Sequence, residues 1–454
     1  MNSLLIYAHA RTNRVTYTFD LLLKDLLGLQ YELTEDANVF TAHAGPKFSY
    51  AKEPVGNELF FRSFHLLFEE GVRHQPMSFV EKGKLKGFFS VLEPSALPFD
   101  IFASTFFVVS RYKEYLPSKI DKYGRFRSSQ SMLYKAGLLE KPLVNLYALH
   151  LKKMFQDHFP GLVYKQHKFS YIPTFDIDQA YSYLHKGFKR TAGAIVRSFI
   201  HTNFKDLRER FEVLTGRKPD PFDTYDYIFD VCRANKQRPM FFFLLGDGSR
   251  FDKNISVEET AFRQLMEQVA QKAEVGIHLS FKSHVSSRMT QREIKRLEKV
   301  TGQEITRNRY HYLRFQLPTS YSMLLKNGIK EDYSMGYAPR AGFRAGICTP
   351  FYWYNLKTDT VTDLKLFPIA FMDTTFTEYR KTTPKESLEK IKSIIKAVKE
   401  VEGTVYGLWH NSSFTEQGVW HGWRKVFEET AAYAQSLEVT EPVGESAVAA
   451  NKGV

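Results

Sequence analysis

The sequence is poor in cysteine and has no apolar run long enough to cross a membrane. Its 454 residues include only two cysteines, Cys232 and Cys348, which lie far apart and form no C-x-x-C pair. We therefore expect two reduced thiols in a reducing compartment. No apolar run reaches the roughly 18 residues of a spanning helix. The most apolar stretch, near residues 97–110, is interrupted by Asp100.

The amino terminus also lacks the features of an export signal. The first residues, MNSLLIYAHARTNR, have neither a basic segment ahead of the apolar residues nor a small-residue cleavage site. We interpret them as the first strand of a domain, and this interpretation predicts a cytoplasmic protein.

The composition excludes extended disorder and gives little support for a nucleic-acid partner. Charged residues make up 25% and hydrophobic residues 43%, which is typical of a globular protein. The 63 Lys and Arg residues exceed the 50 acids, for a net charge of +13. The basic residues are scattered, however, and no helix-turn-helix, zinc-finger or RNA-binding signature is present. We expect a solvated basic surface and no nucleic-acid partner, with polyanion binding as an alternative.

The apolar pattern predicts two structured regions. Residues 1–165 mix short strands with amphipathic helices, which indicates a smaller mixed α/β domain. After a break near Pro160-Gly161, residues 166–437 alternate seven apolar runs with helical patterns. This alternation predicts an α/β fold of the (β/α) barrel type, complete or incomplete, with an open doubly wound sheet as the alternative. The runs are Tyr171–Phe175, Met240–Leu245, Val275–Leu279, Tyr310–Phe315, Ile329–Tyr333, Leu366–Phe371 and Thr404–Trp409.

Two segments depart from this pattern. Residues 185–220 form a basic amphipathic insertion after the first run of the barrel region. Residues 438–454 are small and polar, which predicts a disordered tail. Aromatic residues make up 15% of the chain. Most of them should pack in the core, and a minority could stack on flat ligands such as sugar rings.

Nearly every predicted strand ends in a titratable or guanidinium side chain. Because the active sites of parallel β/α folds lie at the carboxyl ends of the strands, these side chains predict one polar cleft. In chain order they are Asp176 and Asp178, Asp247, His278 with His284, Arg314, Asp332, Asp373, and His410 with Asn411.

The chemistry of this set is that of metal-assisted hydrolysis. The Asp176-x-Asp178 spacing points both carboxylates to one side of a strand. One could bind a divalent metal while the other takes a proton from a metal-bound water. His278 could supply a nitrogen ligand, and His410 could return a proton to the leaving group. Arg314 could orient the base or lower its pKa.

Four segments that carry these residues resemble motifs of a known superfamily. PTFDIDQAY, VGIHLSFKSH, LRFQLP and GLWHNS occur in this order. They resemble the signature motifs of the polysaccharide deacetylases, the NodB-homology or carbohydrate esterase 4 group. RYHYLRFQLPTS, GYAPRAGFRAGICTPFYWYN and LPFDIFASTFFVVSRYKEY are similar to a bacterial branch with an additional α/β domain ahead of the deacetylase-like domain.

The resemblance implies a distorted (β/α)7 barrel and metal-dependent removal of acetyl groups from sugars. Under it, Asp176 is the base, and Asp178 and His278 are metal ligands. His410 is the general acid, and Arg314 matches the family arginine only loosely. We also expect four residues in or near these motifs to contact substrate. They are Asp332, Arg344, Trp409 and Asn411.

The sequence departs from the family pattern at the second metal histidine. Lys282 occupies that position, four residues after His278. His284 could substitute for it if the loop bends, as could Asp247, Asp332 or a water. Lysine is a poor zinc ligand unless it is deprotonated, so the alternative is a metal-poor site, like those of superfamily members that hydrolyse amide or ureide bonds without metal.

Three functions remain open from the sequence. The first is a hydrolase that uses a divalent metal to remove acetyl or similar acyl groups from an amino sugar or polysaccharide, and zinc is the metal we expect. The second is a non-catalytic glycan-binding or scaffold protein, suggested by Lys282. The third is a nucleic-acid or polyanion binder, suggested by the net charge of +13. For the first, the lack of an export signal favours an intracellular sugar precursor or small N-acyl metabolite as substrate.

Overall fold

The computed structural model describes residues 3–83, 85–202 and 204–439. Over these residues the protein is a mixed α/β structure with one small and one large parallel sheet. Of the predicted tail, Glu438 and Val439 end the last helix, and residues 440–454 lie outside the described residues. No helix in the described ranges is both long and apolar enough to cross a membrane.

The small sheet is built from residues near the amino terminus. Its parallel strands follow the order β2-β1-β3-β4. They are β1 (Ser3–Ala8), β2 (Gln30–Thr34), β3 (Lys47–Ala51) and β4 (Leu59–Arg62), and a separate antiparallel hairpin follows as β5 (Val80–Lys82) and β6 (Leu85–Gly87).

Thirteen α-helices accompany the sheets in the described residues. The α-helices are α1 (Asn13–Phe19), α2 (Ala37–Ala42), α3 (Ile101–Val109), α4 (Met132–Lys135), α5 (Leu143–His158), α6 (Gly187–Ile200), α7 (Phe204–Leu214), α8 (Tyr225–Ala234), α9 (Thr260–Lys272), α10 (Ser287–Thr301), α11 (Thr319–Lys326), α12 (Pro384–Lys399) and α13 (Trp423–Val439). Wider π-helical turns span Asp20–Leu26 and Thr375–Arg380.

Asp100, which interrupts the most apolar stretch of the sequence, is the amino-terminal cap of α3. Its carboxylate accepts hydrogen bonds from the backbone N–H groups of Phe102 and Ala103. Every residue of α3 is buried. The stretch therefore folds as a core helix, as expected for an apolar run too short to span a bilayer.

The large sheet carries the second half of the chain. Its nine strands follow the order β12-β13-β11-β10-β9-β8-β7-β15-β14, and all neighbours are parallel except β12 and β13. The strands are β7 (Ser170–Ile177), β8 (Met240–Leu244), β9 (Glu274–Leu279), β10 (Arg307–Tyr310), β11 (Glu331–Asp332), β12 (Phe351–Asn355), β13 (Thr360–Leu366), β14 (Ile369–Met372) and β15 (Thr404–His410). This curled sheet is compatible with an α/β barrel, and the count of seven units stays a prediction.

Three sequence-based assignments in this half need correction. The apolar runs predict a purely parallel series, whereas β12 and β13 form an antiparallel pair. The sixth run, Leu366–Phe371, joins the end of β13 to β14, and Phe367 and Pro368 belong to neither strand. The fourth run was placed at Tyr310–Phe315, whereas β10 already ends at Tyr310. Tyr312 and Leu313 have φ angles of 61° and 52°, which a continuing strand cannot adopt.

The two halves of the chain share one hydrophobic core. Polar contacts also join them. Arg14 on α1 donates to Asp359 at 2.8 Å, and the hydroxyl of Tyr17 donates to the backbone oxygen of Tyr352 at 2.7 Å. The predicted boundary at residue 165 falls between α5 and β7.

Candidate active site

A cleft of about 310 Å³ opens at the carboxyl ends of the central strands of the large sheet. The strands that contribute to it are neighbours, so residues far apart in sequence meet at one edge of the sheet. This edge carries the functional groups of parallel β/α folds. The polar lining residues include Asp176, Asp178, His278, His311, His410 and Glu378.

Asp176 is held in the cleft by a buried arginine. Its Oδ1 accepts a hydrogen bond from Nη1 of Arg309 at 2.7 Å. The same guanidinium donates to the hydroxyl of Thr174 at 2.8 Å and to the backbone oxygen of Tyr333 at 2.9 Å. The bonds to Thr174 and Tyr333 hold the guanidinium of Arg309 in place, and the guanidinium in turn orients the carboxylate of Asp176. Oδ2 of Asp176 then faces Nε2 of His278 at 3.5 Å.

Two imidazoles approach the carboxylate of Asp178 from different strands and loops. Its Oδ1 lies 3.2 Å from Nε2 of His278, and its Oδ2 lies 3.4 Å from Nε2 of His311. One ligand atom from each of the three residues lies within 4.8 Å of the others. Oδ1 of Asp178 is buried and has no hydrogen-bond partner among the described residues. One carboxylate and two imidazoles fit a divalent metal such as zinc and leave coordination positions open.

Both imidazoles are oriented for this role by their other ring nitrogen. Nδ1 of His278 donates to the backbone oxygen of Arg309 at 2.8 Å, since a carbonyl oxygen can only accept. Nδ1 of His311 donates to Oδ1 of Asp252 at 2.9 Å. Each Nε2 is thereby turned toward Asp178. Hydrogen-bonded imidazoles of this kind are typical of metal-ligating histidines.

The charges of the cluster compensate one another. Burial alone would raise the pKa of Asp178, but the neighbouring imidazoles, His311 first and then His278 and His410, hold it well below its usual range. Burial lowers the pKa of His311, and the neighbouring Asp178 and Asp252 outweigh this and raise it to about 9. A bound cation would therefore compete with a proton on His311.

His410 is the final residue of β15, the last strand in chain order, which lies between β7 and β14 in the sheet. Its Nδ1 lies 2.7 Å from Oδ1 of Asp373, and its backbone N–H donates to Oδ2 of the same carboxylate at 2.7 Å. Its Nε2 faces Oδ2 of Asp178 at 3.7 Å. Burial lowers the pKa of this imidazole, but Asp373 and then Asp178 raise it to about 10. A protonated imidazole aimed into the cleft can act as a proton donor.

An aromatic wall faces these polar groups. It contains Phe251, Tyr312 and Tyr379. Arg125, from the amino-terminal half of the chain, reaches the same wall, where Nη1 donates to the backbone oxygen of Tyr312 at 2.9 Å. Its guanidinium is also paired with Asp121 at 2.7 Å. The amino-terminal half therefore contributes directly to the cleft.

The structure does not place Arg314, His284 and Lys282 as expected from the sequence. Arg314 stacks on Phe281, bonds to its backbone oxygen and contacts Nδ1 of His284 at 3.1 Å, so Arg309 takes the expected place beside Asp176. His284 is buried in that contact and does not line the cleft, while Lys282 is exposed. His311 occupies the third position of the histidine–carboxylate cluster.

The four residues expected to contact substrate also lie outside the cleft lining. Asp332 accepts from Asn308 in the core, and Arg344 forms a buried ion pair with Glu114. The indole N–H of Trp409 donates to the hydroxyl of Tyr171 at 2.9 Å, with the ring fully buried. Asn411 donates to backbone oxygens of Gln179 and Phe222. Each of these side chains is therefore bonded to the protein itself, in the core or against a neighbouring loop.

Sequence reasoning missed Arg309, His311 and Asp252. The first two lie on either side of Tyr310, so the two-residue period of a strand ending at Tyr310 would have found them together. The misplaced fourth strand hid this signal. Asp252 lies in a loop eight residues beyond the end of β8, and no local pattern marks it.

Comparison with known proteins gives one family match and several structural matches. A family model described as "Family of unknown function (DUF7033)" matches residues 4–160. No functionally curated protein sequence matches the chain significantly.

The solved structures that match share little sequence with the chain. A presumed polysaccharide deacetylase from Mycobacterium smegmatis is 14% identical, with 59% of this chain and 85% of that chain covered and a TM-score of 0.37. IcaB from Ammonifex degensii is 16% identical, with 38% and 86% covered and a TM-score of 0.23. A de-N-acetylase from Aggregatibacter actinomycetemcomitans is 9% identical, with 37% and 88% covered and a TM-score of 0.21.

Proposed function

We propose that the protein is a metal-dependent hydrolase that removes an acetyl or similar acyl group from the nitrogen of an amino sugar, alone or within a polysaccharide. One observation carries the proposal. A carboxylate fixed by arginine, a carboxylate–histidine cluster and a histidine fixed by a carboxylate open into one cleft. Amide hydrolysis needs a base, an electrophile and an acid in this arrangement.

Asp178, His278 and His311 would hold the metal, with zinc the best match to the donor set. When bound, the metal would polarise the acyl carbonyl and lower the pKa of a water. Asp176 would accept the proton of the attacking water on Oδ2, because Arg309 already occupies Oδ1. We therefore assign Asp176 as the general base.

His410 would donate a proton to the departing nitrogen. Asp373 bonds to its Nδ1 and stabilises the imidazolium, which leaves Nε2–H directed toward the cleft. Without this proton the amine would have to leave as an anion, so the step depends on His410. The aromatic wall of Phe251, Tyr312 and Tyr379 would pack against the apolar face of the sugar ring.

The non-catalytic alternative loses its main support in this arrangement. It rested on Lys282 in place of a metal-binding histidine, but Lys282 is exposed and His311 supplies a second imidazole. The residues to which we assign the chemistry all belong to residues 166–437, and Arg125 from residues 1–165 lines the same cleft.

The test is acetate release from a panel of N-acetylated amino-sugar monomers and oligomers by the zinc-loaded protein. We expect Asp176→Asn to lower kcat by about 10²-fold or more at a temperature where it is still folded and binds zinc, although loss of the counter-charge of the buried Arg309 should lower its melting temperature. Asp247→Asn is the matched control, because Asp247 also follows a strand but pairs with Arg292 and Arg296 at the surface. No acetate release from any acylated sugar, or full activity in Asp176→Asn, would refute the proposal.

A further inference from the structure

Helices α6 and α7 expose an unusual amount of apolar surface. Of the 19 large hydrophobic side chains that are exposed among the described residues, eight belong to this helical hairpin. Phe188, Phe199 and Ile200 are 87%, 67% and 71% exposed. The others are Ile195, Val196, Phe204, Phe211 and Leu214. Isolated exposed apolar residues are ordinary, but a cluster of this size marks an interaction surface.

These side chains form one continuous face, which we call the apolar face of the hairpin. On α6, Phe188, Ile195 and Phe199 recur at helical spacing. The rings of Phe199 and Phe204 meet across the turn, with centroids 6.3 Å apart, so the face continues onto α7. The opposite side of α7 packs inward, where Val213 is buried.

The charge of the hairpin is strongly basic. Residues 186–218 contain nine Lys and Arg and only three acids, and α6 itself contains no acid. Two of the acids pair with cations of the hairpin: Asp206 with Arg210 at 3.4 Å, and Glu212 with Arg208 at 3.0 Å and Lys218 at 2.6 Å. The hairpin nevertheless keeps a clear excess of positive charge.

We propose that the α6–α7 hairpin binds the surface of an anionic lipid bilayer. A helix with bulky apolar residues on one face and basic residues beside it lies in the membrane interface, with the apolar face among the acyl chains. The basic residues add attraction to anionic headgroups. Net positive charge favours this partner over an apolar protein groove, which would need acidic groups around it.

The hairpin is anchored beside the cleft. Arg190 on α6 donates to the backbone oxygens of Lys253 at 2.7 Å and Asn254 at 2.9 Å, and Lys186 donates to Gln179 at 3.2 Å. Lys253 and Gln179 line the cleft. Binding through the hairpin would therefore bring the mouth of the cleft next to the bilayer. The membrane-binding proposal does not depend on the proposed enzymatic function.

The experiment is co-sedimentation of the full-length protein with vesicles made of equal parts phosphatidylglycerol and phosphatidylcholine, or of phosphatidylcholine alone. We expect binding to the anionic vesicles that weakens when the salt is raised from about 0.1 M to about 1 M. Phe188→Ser with Phe199→Ser should reduce binding by about tenfold or more. Leu92→Ser with Val163→Ser is the matched control, because both are equally exposed elsewhere and should have no effect.

Analytical ultracentrifugation of the same proteins without lipid tests the main alternative, in which the apolar face binds a second copy of the chain. A wild-type dimer that the Phe188→Ser/Phe199→Ser variant abolishes, with no vesicle binding, would overturn the proposal and assign the face to a second copy of the chain. A monomer that binds neither vesicle type would also overturn it. Equal vesicle binding by wild type and variant would show that another surface is responsible.

Discussion

Asp176 and Asp178 are two residues apart and chemically alike, yet their surroundings give them different properties. The two-residue period of β7 turns both toward the cleft, as the sequence predicts. Asp176 bonds to the buried guanidinium of Arg309, whereas Asp178 faces the imidazoles of His278 and His311. The pair was visible in the sequence, but the partners that distinguish the proposed base from the proposed metal ligand come from other segments of the chain and could not be assigned from spacing.

Single substitutions at His311 and His284 should show which of the two histidines binds the metal. We expect His311→Asn to weaken zinc affinity by about 100-fold or more, because one of three ligands is lost. His284→Asn should leave the affinity within about twofold, since its ring is bonded to Arg314 and Phe281 away from the cluster. Isothermal titration with zinc measures both, and the melting temperature confirms that each variant folds. If His284→Asn weakened zinc affinity and His311→Asn did not, the ligands would be those expected from the sequence, with His284 as the third.

At the scale of elements, the strand β10 explains why part of the site escaped sequence analysis. Its residues are Arg307–Tyr310, which carry no apolar alternation. The polar side chains are buried because each has a partner: Asn308 donates to Asp332, and Arg309 pairs with Asp176. Periodicity identifies strands by apolar residues, so the assignment moved to the more apolar segment that follows. The strands with apolar sequences, such as β7, β8 and β15, were placed within one or two residues of their observed ends.

The contact between α10 and the end of β9 contains a carboxyl that should make stability depend on pH. Both oxygens of Glu293 accept hydrogen bonds from Ser280, one from the hydroxyl at 2.5 Å and one from the backbone N–H at 2.8 Å. Burial dominates over these bonds and raises the pKa of Glu293 from 4.5 to about 7. The folded state therefore favours the protonated form, and stability is lost as the pH rises from about 4.5 through about 7.

We expect the loss to be on the order of 3 kcal/mol, since each pKa unit corresponds to about 1.4 kcal/mol. Glu293→Gln can still accept the hydrogen bond from the backbone N–H of Ser280 through its amide oxygen and can donate from its amide N–H to the Ser280 hydroxyl, but it cannot ionise. The difference in free energy of unfolding between variant and wild type should therefore grow in favour of the variant between pH 4.5 and pH 9. Urea denaturation at several pH values measures this difference. A constant difference across the range would show that Glu293 titrates normally.

For the whole molecule, the amino-terminal half is part of the working structure rather than an independent addition. Arg125 lines the cleft, and Glu114 of the short helix Tyr112–Tyr115 reaches Arg344 across the shared core. The sequence indicated a boundary near residue 165 because the apolar pattern changes there. Long-range contacts such as these leave no trace in local pattern, so the sequence could not predict the shared core and cleft, and the two-domain division stays a prediction.

The Glu114–Arg344 pair gives a prediction about the coupling of the halves. Glu114 also accepts from Arg111 at 2.8 Å, and all three side chains are at most 5% exposed. Burial would raise the pKa of Glu114, but Arg344 and Arg111 hold it below its usual value. Glu114→Gln would leave two buried guanidinium groups without a counter-charge, and we expect it to lower the free energy of unfolding by about 3 kcal/mol or more.

Glu140→Gln is the matched control, because Glu140 also joins the two halves through an ion pair with Lys390. That pair is exposed, with 42% and 46% of the side chains accessible, so its loss should change the free energy of unfolding by less than about 1 kcal/mol. Urea denaturation should show one cooperative transition for both variants, shifted to lower urea only in Glu114→Gln. Two separate transitions, with only the first one shifted, would mean that the halves unfold independently and that the buried pair does not couple them.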